Sequence, residues 1–517
     1  MIKEIELKLL PKEAAIEQVI QQKAAQQCGV PENAITDIQI LRRSIDARGA
    51  QPFFLLRLAV YIGENQQAEP AILTQLQAFR GHKKVIIVGA GPAGYFAALE
   101  LLEYGIQPII FDRGKDVRSR RRDLRAIQQF GIVHPHSNYC FGEGGAGTYS
   151  DGKLYTRSHK RGDIYKVLKL LVEHGADSAI LADAHPHIGS NKLPNVVANI
   201  RASILHYGGE VHFDSHVTDF IVKNGKMRGV VVNNATEHQA DAVIVATGHS
   251  ARDIYYLLHQ KGIYIEAKPF ALGVRIEHSQ DLIDKIQYRQ SPRDAYLPAS
   301  SYSLSCQVLG RGVFSFCMCP GGLVVPAATA PGEIVVNGMS MSRRDSAFAN
   351  AGTVTSVEIE DLQAFEKYGV LASLEFQKSV EQRLFQFGDG SQQAPAQRLT
   401  DFIKGKISAT LPKSSYIPGL ITAPLHELLP PFIYQRLREG VQEFGKKMKG
   451  YFTEEANVIA TESRTSAPVR IPRNRETCMH EGVAGFFPCG EGAGYAGGIV
   501  SAAMDGQNVA RAVSKFL

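Results

Sequence analysis

The sequence has no CxxC pair, no apolar run long enough to cross a bilayer, no repeat of solenoid period and no strong excess of either charge. Each absence excludes something. The seven cysteines, at 28, 140, 306, 317, 319, 478 and 489, are an odd number scattered over 517 residues, so a disulfide framework is excluded and a reducing compartment is expected. Lys and Arg outnumber Asp and Glu by 57 to 51, a formal charge of +6. That excess is too mild for a dedicated nucleic-acid binder, and it leaves anionic small molecules as the natural partners. The opening MIKEIELKLLPKEAA mixes acids with apolar residues and lacks the continuous core of a signal peptide. With no membrane span either, a cytoplasmic location is expected. His134-Pro135-His136 and His185-Pro186-His187 have no carboxylate or cysteine spacing to complete a site, so no metal is expected.

What is present is long enough for two or three domains. Residues 1–80 read as a small α+β unit. Ile5, Leu7 and Leu9 alternate as in a strand, AAIEQVIQQKAAQQC has helical spacing ended by Gly29, and DIQILRR and FFLLRLAVYI resemble two more strands. From Lys83 the pattern changes. KKVIIVGAGPAGYFAALELLEYGIQPIIFDRG holds a buried strand, a glycine turn, a helix and a second strand, which make one βαβ unit. A later meander carries an Asn224-Gly225 hairpin signal and closes on a buried strand, Ala242 to Ala246. Strand-like and loop-rich pieces follow, then a helical stretch around FIYQRLREGVQEFGKKMKG. This pattern predicts an α/β protein: a first nucleotide-binding part at 81–267, an inserted β-rich unit at 268–450 and a second part of the first domain at 451–517.

Gly89-Ala90-Gly91-Pro92-Ala93-Gly94 is GxGxxG, directly after VIIV and before a helix. The first glycine makes the tight turn, the second lets backbone approach a pyrophosphate, and the third lets helix and strand pack closely. The helix N-terminus then presents free amides and about half a positive charge. Asp112, ending the second strand, is placed to accept hydrogen bonds from a ribose, with Arg113 beside it. A dinucleotide site is therefore expected.

A second glycine cluster, CGEGAGYAGGIVSAAMDG, lies close to the C-terminus. In company with the first turn and with VIVATG, which ends at Gly248, it resembles the FAD-containing oxidoreductases of the glutathione-reductase-like superfamily. CFGEGGAGTYSDGKL, KPFALGVRIEH, FCMCPGG and ESRTSAPVRIPR are similar to a narrower group, the bacterial family of FAD-dependent, or NAD(FAD)-utilising, dehydrogenases, from about Lys83 to the end. The resemblance implies FAD in a discontinuous Rossmann-like domain, with the inserted unit covering the flavin ring and shaping a substrate pocket. It implies that Glu491 holds the ribityl chain, and that the helix starting near Gly498 faces the flavin's pyrimidine edge. The cofactor-binding set expected on these grounds is Gly89, Gly91, Pro92, Ala93, Gly94, Asp112, Arg113, Gly144, Gly145, Gly147, Thr148, Ser150, Lys153, Ala246, Thr247, Gly248, Gly490, Glu491, Gly497, Gly498 and Ile499.

Other segments are weighed on their chemistry. Gly147 to Leu154 fits GxxxxGK but offers Leu where a P-loop needs a hydroxyl, so it reads as a loop wrapping the cofactor, with Lys153 available to an anionic ligand or simply solvated. Cys317 and Cys319 would share one side of an extended strand, as a redox pair facing the flavin, as metal ligands with other residues, or as small buried hydrophobes. The CxxxxC pair of disulfide reductases and a second GxGxxG are absent, so NAD(P)H as electron donor would bind without its own Rossmann domain. Arg464, Arg470 and Arg473 form a candidate anion clamp, against a structural salt-bridge role. VRSRRRDLR reads as a solvated helical face, with binding of a 2′-phosphate or of RNA as the alternative. The expected function is hydride transfer through FAD to or from a small anionic substrate, with Cys317, Arg464, Tyr495 and His249 as catalytic candidates. The rival readings are a flavin-dependent tRNA-modifying enzyme and a non-catalytic flavin-binding interaction protein.

Overall fold

The computed structural model describes residues 1–67, 69–79, 81–156 and 162–517, so the expected boundary at residue 80 falls outside the described residues. The VIIV run forms strand Lys84–Val88 at the centre of a five-stranded parallel sheet. Its order is Phe486–Pro488, Ala242–Val245, Lys84–Val88, Gln107–Phe111, Glu210–His212. A parallel strand buried on both faces must be apolar throughout rather than alternating. Val85 and Ile87 accordingly join one core with Tyr95, Phe96 and the C-terminal helix, while Ile86 and Val88 join another with Phe220, Met227 and Val230. That second cover is the meander Val217–Lys223, Lys226–Val232, Thr236–Gln239. Its first turn is the predicted Asn224-Gly225, with both residues at positive φ, 52° and 70°.

Head and tail of the chain meet here. Strand Phe486–Pro488 pairs with Ala242–Val245, and helix Ile499–Phe516 packs across helix Pro92–Glu103. The crossing is close because Gly506 has no side chain: a Cβ there would overlap the carbonyl oxygen of Ala93. Gly506→Leu is expected to lower the thermal unfolding midpoint, by a destabilisation of about 1–3 kcal/mol. Gly497→Ala, whose added carbon meets nothing within 4 Å, should leave that midpoint unmoved.

A second core surrounds a seven-stranded sheet, ordered Ser305–Val308, Arg311–Cys319, Phe348–Val357, Phe270–Ser279, Asn457–Glu462, Ala394–Arg398, Leu420–Thr422. Helices Ala372–Phe387 and Pro431–Lys447 bury Phe376, Val380, Leu384, Leu437, Val441 and Phe444 in that core. Strand Asn457–Glu462 lies inside this sheet, past the boundary at 450 that the sequence pattern predicts. A short buried apolar strand carries no local mark of which sheet it joins.

The N-terminal unit is an antiparallel sheet of Ile2–Leu9, Phe53–Ile62 and Ile35–Asp46 under helix Glu17–Cys28, which ends at Gly29 with φ 70°. It is tied to the rest through Arg43, whose backbone bonds Ala182 and Ala184 at 2.8 and 2.9 Å and whose guanidinium meets Asp183 at 2.6 Å.

The basic run departs from its expected solvated face at one residue. Helix Val117–Phe130 is capped by Asp116, and Arg118, Arg121, Arg122 and Arg125 are exposed, but Arg120 is wholly buried. It shares the inward stripe of Val117, Leu124 and Ile127, and it donates to the carbonyls of Asn138, Gly142 and Glu143.

Candidate active site

A cavity of about 380 Å³ lies beyond the carboxyl ends of strands Lys84–Val88 and Ala242–Val245. This is where open α/β sheets bind ligands. Gly89, Gly91, Pro92 and Ala93 line it from the first glycine turn, and Glu491, Gly497, Gly498 and Ile499 line it from the C-terminal cluster. Asp112, Arg113, Gly145, Gly147, Ser150, Lys153, Ala246, Thr247 and Gly248 complete the predicted residues on its wall, with Cys317, His249 and Arg464 among the catalytic candidates.

Four members of the predicted set stand behind the wall. Gly94 is in the turn, where a Cβ would overlap the carbonyl oxygen of Gly89. Gly144 ties the loop to the turn through its amide and the carbonyl of Ala90, 2.8 Å. The Thr148 hydroxyl donates to Glu143 O at 3.1 Å. The Gly490 amide donates to Asp505 at 2.7 Å.

The cavity wall fits an extended dinucleotide. A Cβ on Gly248, Gly497 or Gly498 would meet nothing within 4 Å, and on Gly91 only Gly145 Cα at 3.9 Å, so four glycines clear ligand space rather than protein packing. Two helices, Pro92–Glu103 and Ile499–Phe516, start at this wall and turn the positive ends of their dipoles towards it.

Asp112 departs from its expected role as a free ribose acceptor. Its two oxygens already accept from the amides of Ala90, 2.9 Å, and Gly114, 2.8 Å, so the carboxylate first braces the turn. Arg113 is held by Asp253 through two bonds of 2.9 and 2.6 Å and lies over the Phe141 ring. Burial pushes the Asp253 carboxyl up, but His216 and Arg113 outweigh it and bring it from an ordinary 3.8 down to about 2. A depressed carboxylate stabilises the fold above its ordinary pKa and loses that contribution as pH falls through the folded value. The stability gap between wild type and Asp253→Asn is therefore expected to be widest above pH 3.8 and to close towards about 2. Unfolding midpoints measured across that range check it.

Glu491 accepts from His249 Nδ1 at 2.9 Å and from the amide of Gly498. Burial raises its pKa, yet these two donors bring it below the ordinary carboxylate range. Glu491 thus pins the start of the last helix to the end of the ATG strand.

Four stretches quoted above for their family resemblance converge on one wall. Arg275, fully buried, donates to Glu462 at 2.6 Å, to Asn350 at 2.7 Å and to the carbonyl of Cys317 at 2.7 Å. Lys153 donates to the next carbonyl, Met318 O, and lies 3.9 Å from Asp151. Between these anchors Cys317 sits at φ 43° and the strand register shifts. The extended geometry that would put Cys317 and Cys319 on one side is therefore broken, although both line the cavity. Burial raises the Cys319 thiol, which stays protonated at neutral pH, whereas Cys317 is exposed at the cavity surface.

The arginine clamp does not form. Arg464 is buried against Glu381, at 2.7 and 2.9 Å, and Glu333, at 3.2 Å. Arg473 is paired with Asp505 at 2.5 Å. Arg470 is exposed near the Tyr495 ring. Tyr495 is absent from the cavity wall; its hydroxyl accepts from the Arg473 amide and its ring lies 3.9 Å from that guanidinium. The partners Asp253, Glu381 and Asp505 were missed in the sequence because nothing local marks a carboxylate's distant cation.

Comparison with known proteins adds the following. Residues 83–263 match the family described as pyridine nucleotide-disulphide oxidoreductase, residues 269–465 the FAD-dependent protein, C-terminal domain-like family, and residues 1–61 a domain of unknown function. An uncharacterized protein of Clostridium beijerinckii is 39% identical over 523 residues, covering 96% of each chain. Thiamine thiazole synthase of Aeropyrum pernix is 27% identical over 215 residues, 38% of this chain and 66% of that one. Among solved structures, the open conformation of a flavocytochrome c3 fumarate reductase aligns at TM-score 0.36 and 11% identity, covering 84% of this chain and 78% of that chain. No helix among the described residues is long and apolar enough to cross a membrane. Identity of 39% sustained over 96% of both chains, with the two matches that run through residues 83–263 and 269–465, establishes that this chain belongs to the FAD-dependent oxidoreductases.

Proposed function

We propose that the protein is a dehydrogenase that passes a hydride between bound FAD and a small anionic substrate, with NAD(P)H as the partner nucleotide for the flavin. The observation that carries this reading is the shared cavity: glycine turns from residues 89–93 and 497–498 line it together with Cys317, Cys319 and Asn337 of the second unit. FAD, when bound, supplies two-electron hydride chemistry that no side chain offers.

The chain's own residues bind, orient and exclude water. The Gly91 turn and the amides opening helix Pro92–Glu103 take the pyrophosphate, and Glu491 with Gly498 fixes the ribityl end. The amide end of Ile499–Phe516 favours negative charge on the ring edge. Residues 81–267 and those after 462 form the FAD-binding part, and the seven-stranded unit closes over it. Lys153 gives the cavity its most loosely paired cation: Arg113 and Arg464 hold carboxylates at 2.6 and 2.7 Å, whereas Lys153 donates to Met318 O and stands 3.9 Å from Asp151. It is the anchor for a substrate carboxylate or phosphate.

The test is a purified, flavin-loaded sample mixed without oxygen with NADH, NADPH and a panel of small carboxylates, followed in the visible flavin band. Bleaching by a nicotinamide nucleotide, and its reversal by an anionic acceptor, is the expected result. A flavin that no donor reduces would remove the dehydrogenase reading.

A further inference from the structure

Away from the flavin cavity, a second cavity opens between helices Val117–Phe130 and Leu193–His206. Arg118 and Arg121 line it from the first helix, three residues apart on one face. Asn195, Asn199 and Arg201 line it from the second. Packed helices ordinarily meet through apolar stripes, yet three guanidiniums gather here.

Their charge is only partly answered within the chain, for Arg201 alone meets a carboxylate and also lies over the Phe213 ring. The guanidinium of Arg118 has no partner among the described residues. Arg121 meets the neutral phenol of Tyr149. Arg201 lies 3.3 Å from Glu143, a fully buried carboxylate that already accepts from the Tyr95 hydroxyl at 2.9 Å and the Val117 amide at 2.8 Å. The other nearby acid, Asp116, is taken by the amides of Arg118 and Ser119 as the helix cap. Asn199 spends its amide on His174 O, whereas Asn195 keeps its side-chain donors free.

We propose that this cavity binds a phosphate group, borne either by a nucleotide or by free pyrophosphate. Guanidinium forks match phosphate oxygens in geometry and carry the charge that such a group needs. None of these five residues lines the flavin cavity, so the site stands independently of the hydride-transfer reading.

The experiment titrates flavin-loaded wild type and the Arg118→Gln/Arg121→Gln double variant with pyrophosphate and with NADPH by calorimetry at low ionic strength, where screening is weakest. Pyrophosphate is expected to bind wild type and to lose roughly tenfold to hundredfold in affinity in the variant. If NADPH weakens in parallel, the phosphate is nucleotide-borne; if only pyrophosphate responds, the ligand is the free anion. Pyrophosphate that fails to bind wild type, or binds both proteins equally, overturns the proposal. Both arginines are exposed, and an unchanged flavin spectrum and circular dichroism will confirm an intact variant. Should the double variant unfold, Arg118→Gln alone, which removes no internal contact, gives the same comparison.

Discussion

Arg275→Ala is expected to destabilise the protein by about 3–5 kcal/mol, because it strands a charge in the interior. Arg275 and Glu462 are 0% and 1% exposed, so removing the guanidinium leaves the carboxylate unpaired inside the protein. Asn350 and the carbonyl of Cys317 lose their donor in the same step. Arg275→Lys should recover only part of this, since one ammonium cannot reach three acceptors that a planar fork spans. Gly338 shows how closely the guanidinium is seated: a Cβ there would overlap Arg275 Nη2. The informative control is Arg275→Met with Glu462→Leu, in which neither charge remains. Buried ion pairs replaced by apolar residues are often neutral in stability, so the double variant should regain most of the loss. Denaturant unfolding of wild type and the three variants checks the series. An Arg275→Ala midpoint equal to wild type would show that the pair is not needed.

The second large effect is expected at Gly91. Gly91→Val should yield a folded, colourless protein, with FAD affinity lowered about hundredfold or more by side-chain atoms placed where the pyrophosphate must approach. A Cβ at Gly91 comes no nearer to protein than 3.9 Å, so the added methyls enter ligand space and not the core. The comparison is Gly94→Val, which must displace the carbonyl of Gly89 and should lose the turn itself, and with it solubility. Visible absorbance measured beside far-ultraviolet circular dichroism separates the two outcomes. Full yellow occupancy in Gly91→Val would contradict the assignment of the turn.

The two predictions differ in how visible their residues are in the sequence. Gly91 is recognisable at once: a strand, a glycine turn and a helix follow one another within a few residues, and the chemistry of the turn depends on those neighbours alone. Arg275 carries no such mark. Its partner Glu462 lies 187 residues away, and each stands in a stretch whose apolar pattern says only that it is a strand. The same holds for Arg113 with Asp253, 140 residues apart, and for Arg464 with Glu381, 83 apart. Arg464 and Arg473 read as an anion clamp because arginines between prolines look available, and only packing against Glu381 and Asp505 shows that they are taken. Cys317 and Cys319 read as an extended pair because a register shift leaves no signature in FCMCPGG.

By itself the sequence determined the local elements and the cofactor class: the glycine turn with its flanking strand and helix, the hairpin at Asn224-Gly225, the apolar parallel strands, and the second glycine cluster near the C-terminus. These depend on backbone freedom and periodicity over a few residues, which a linear string records. The tertiary structure alone decided that strand Asn457–Glu462 joins the seven-stranded sheet, that Asp112 braces the turn, and which carboxylate answers each buried arginine. Those outcomes turn on desolvation and on distances between residues far apart in the chain, and neither exists until the chain is packed.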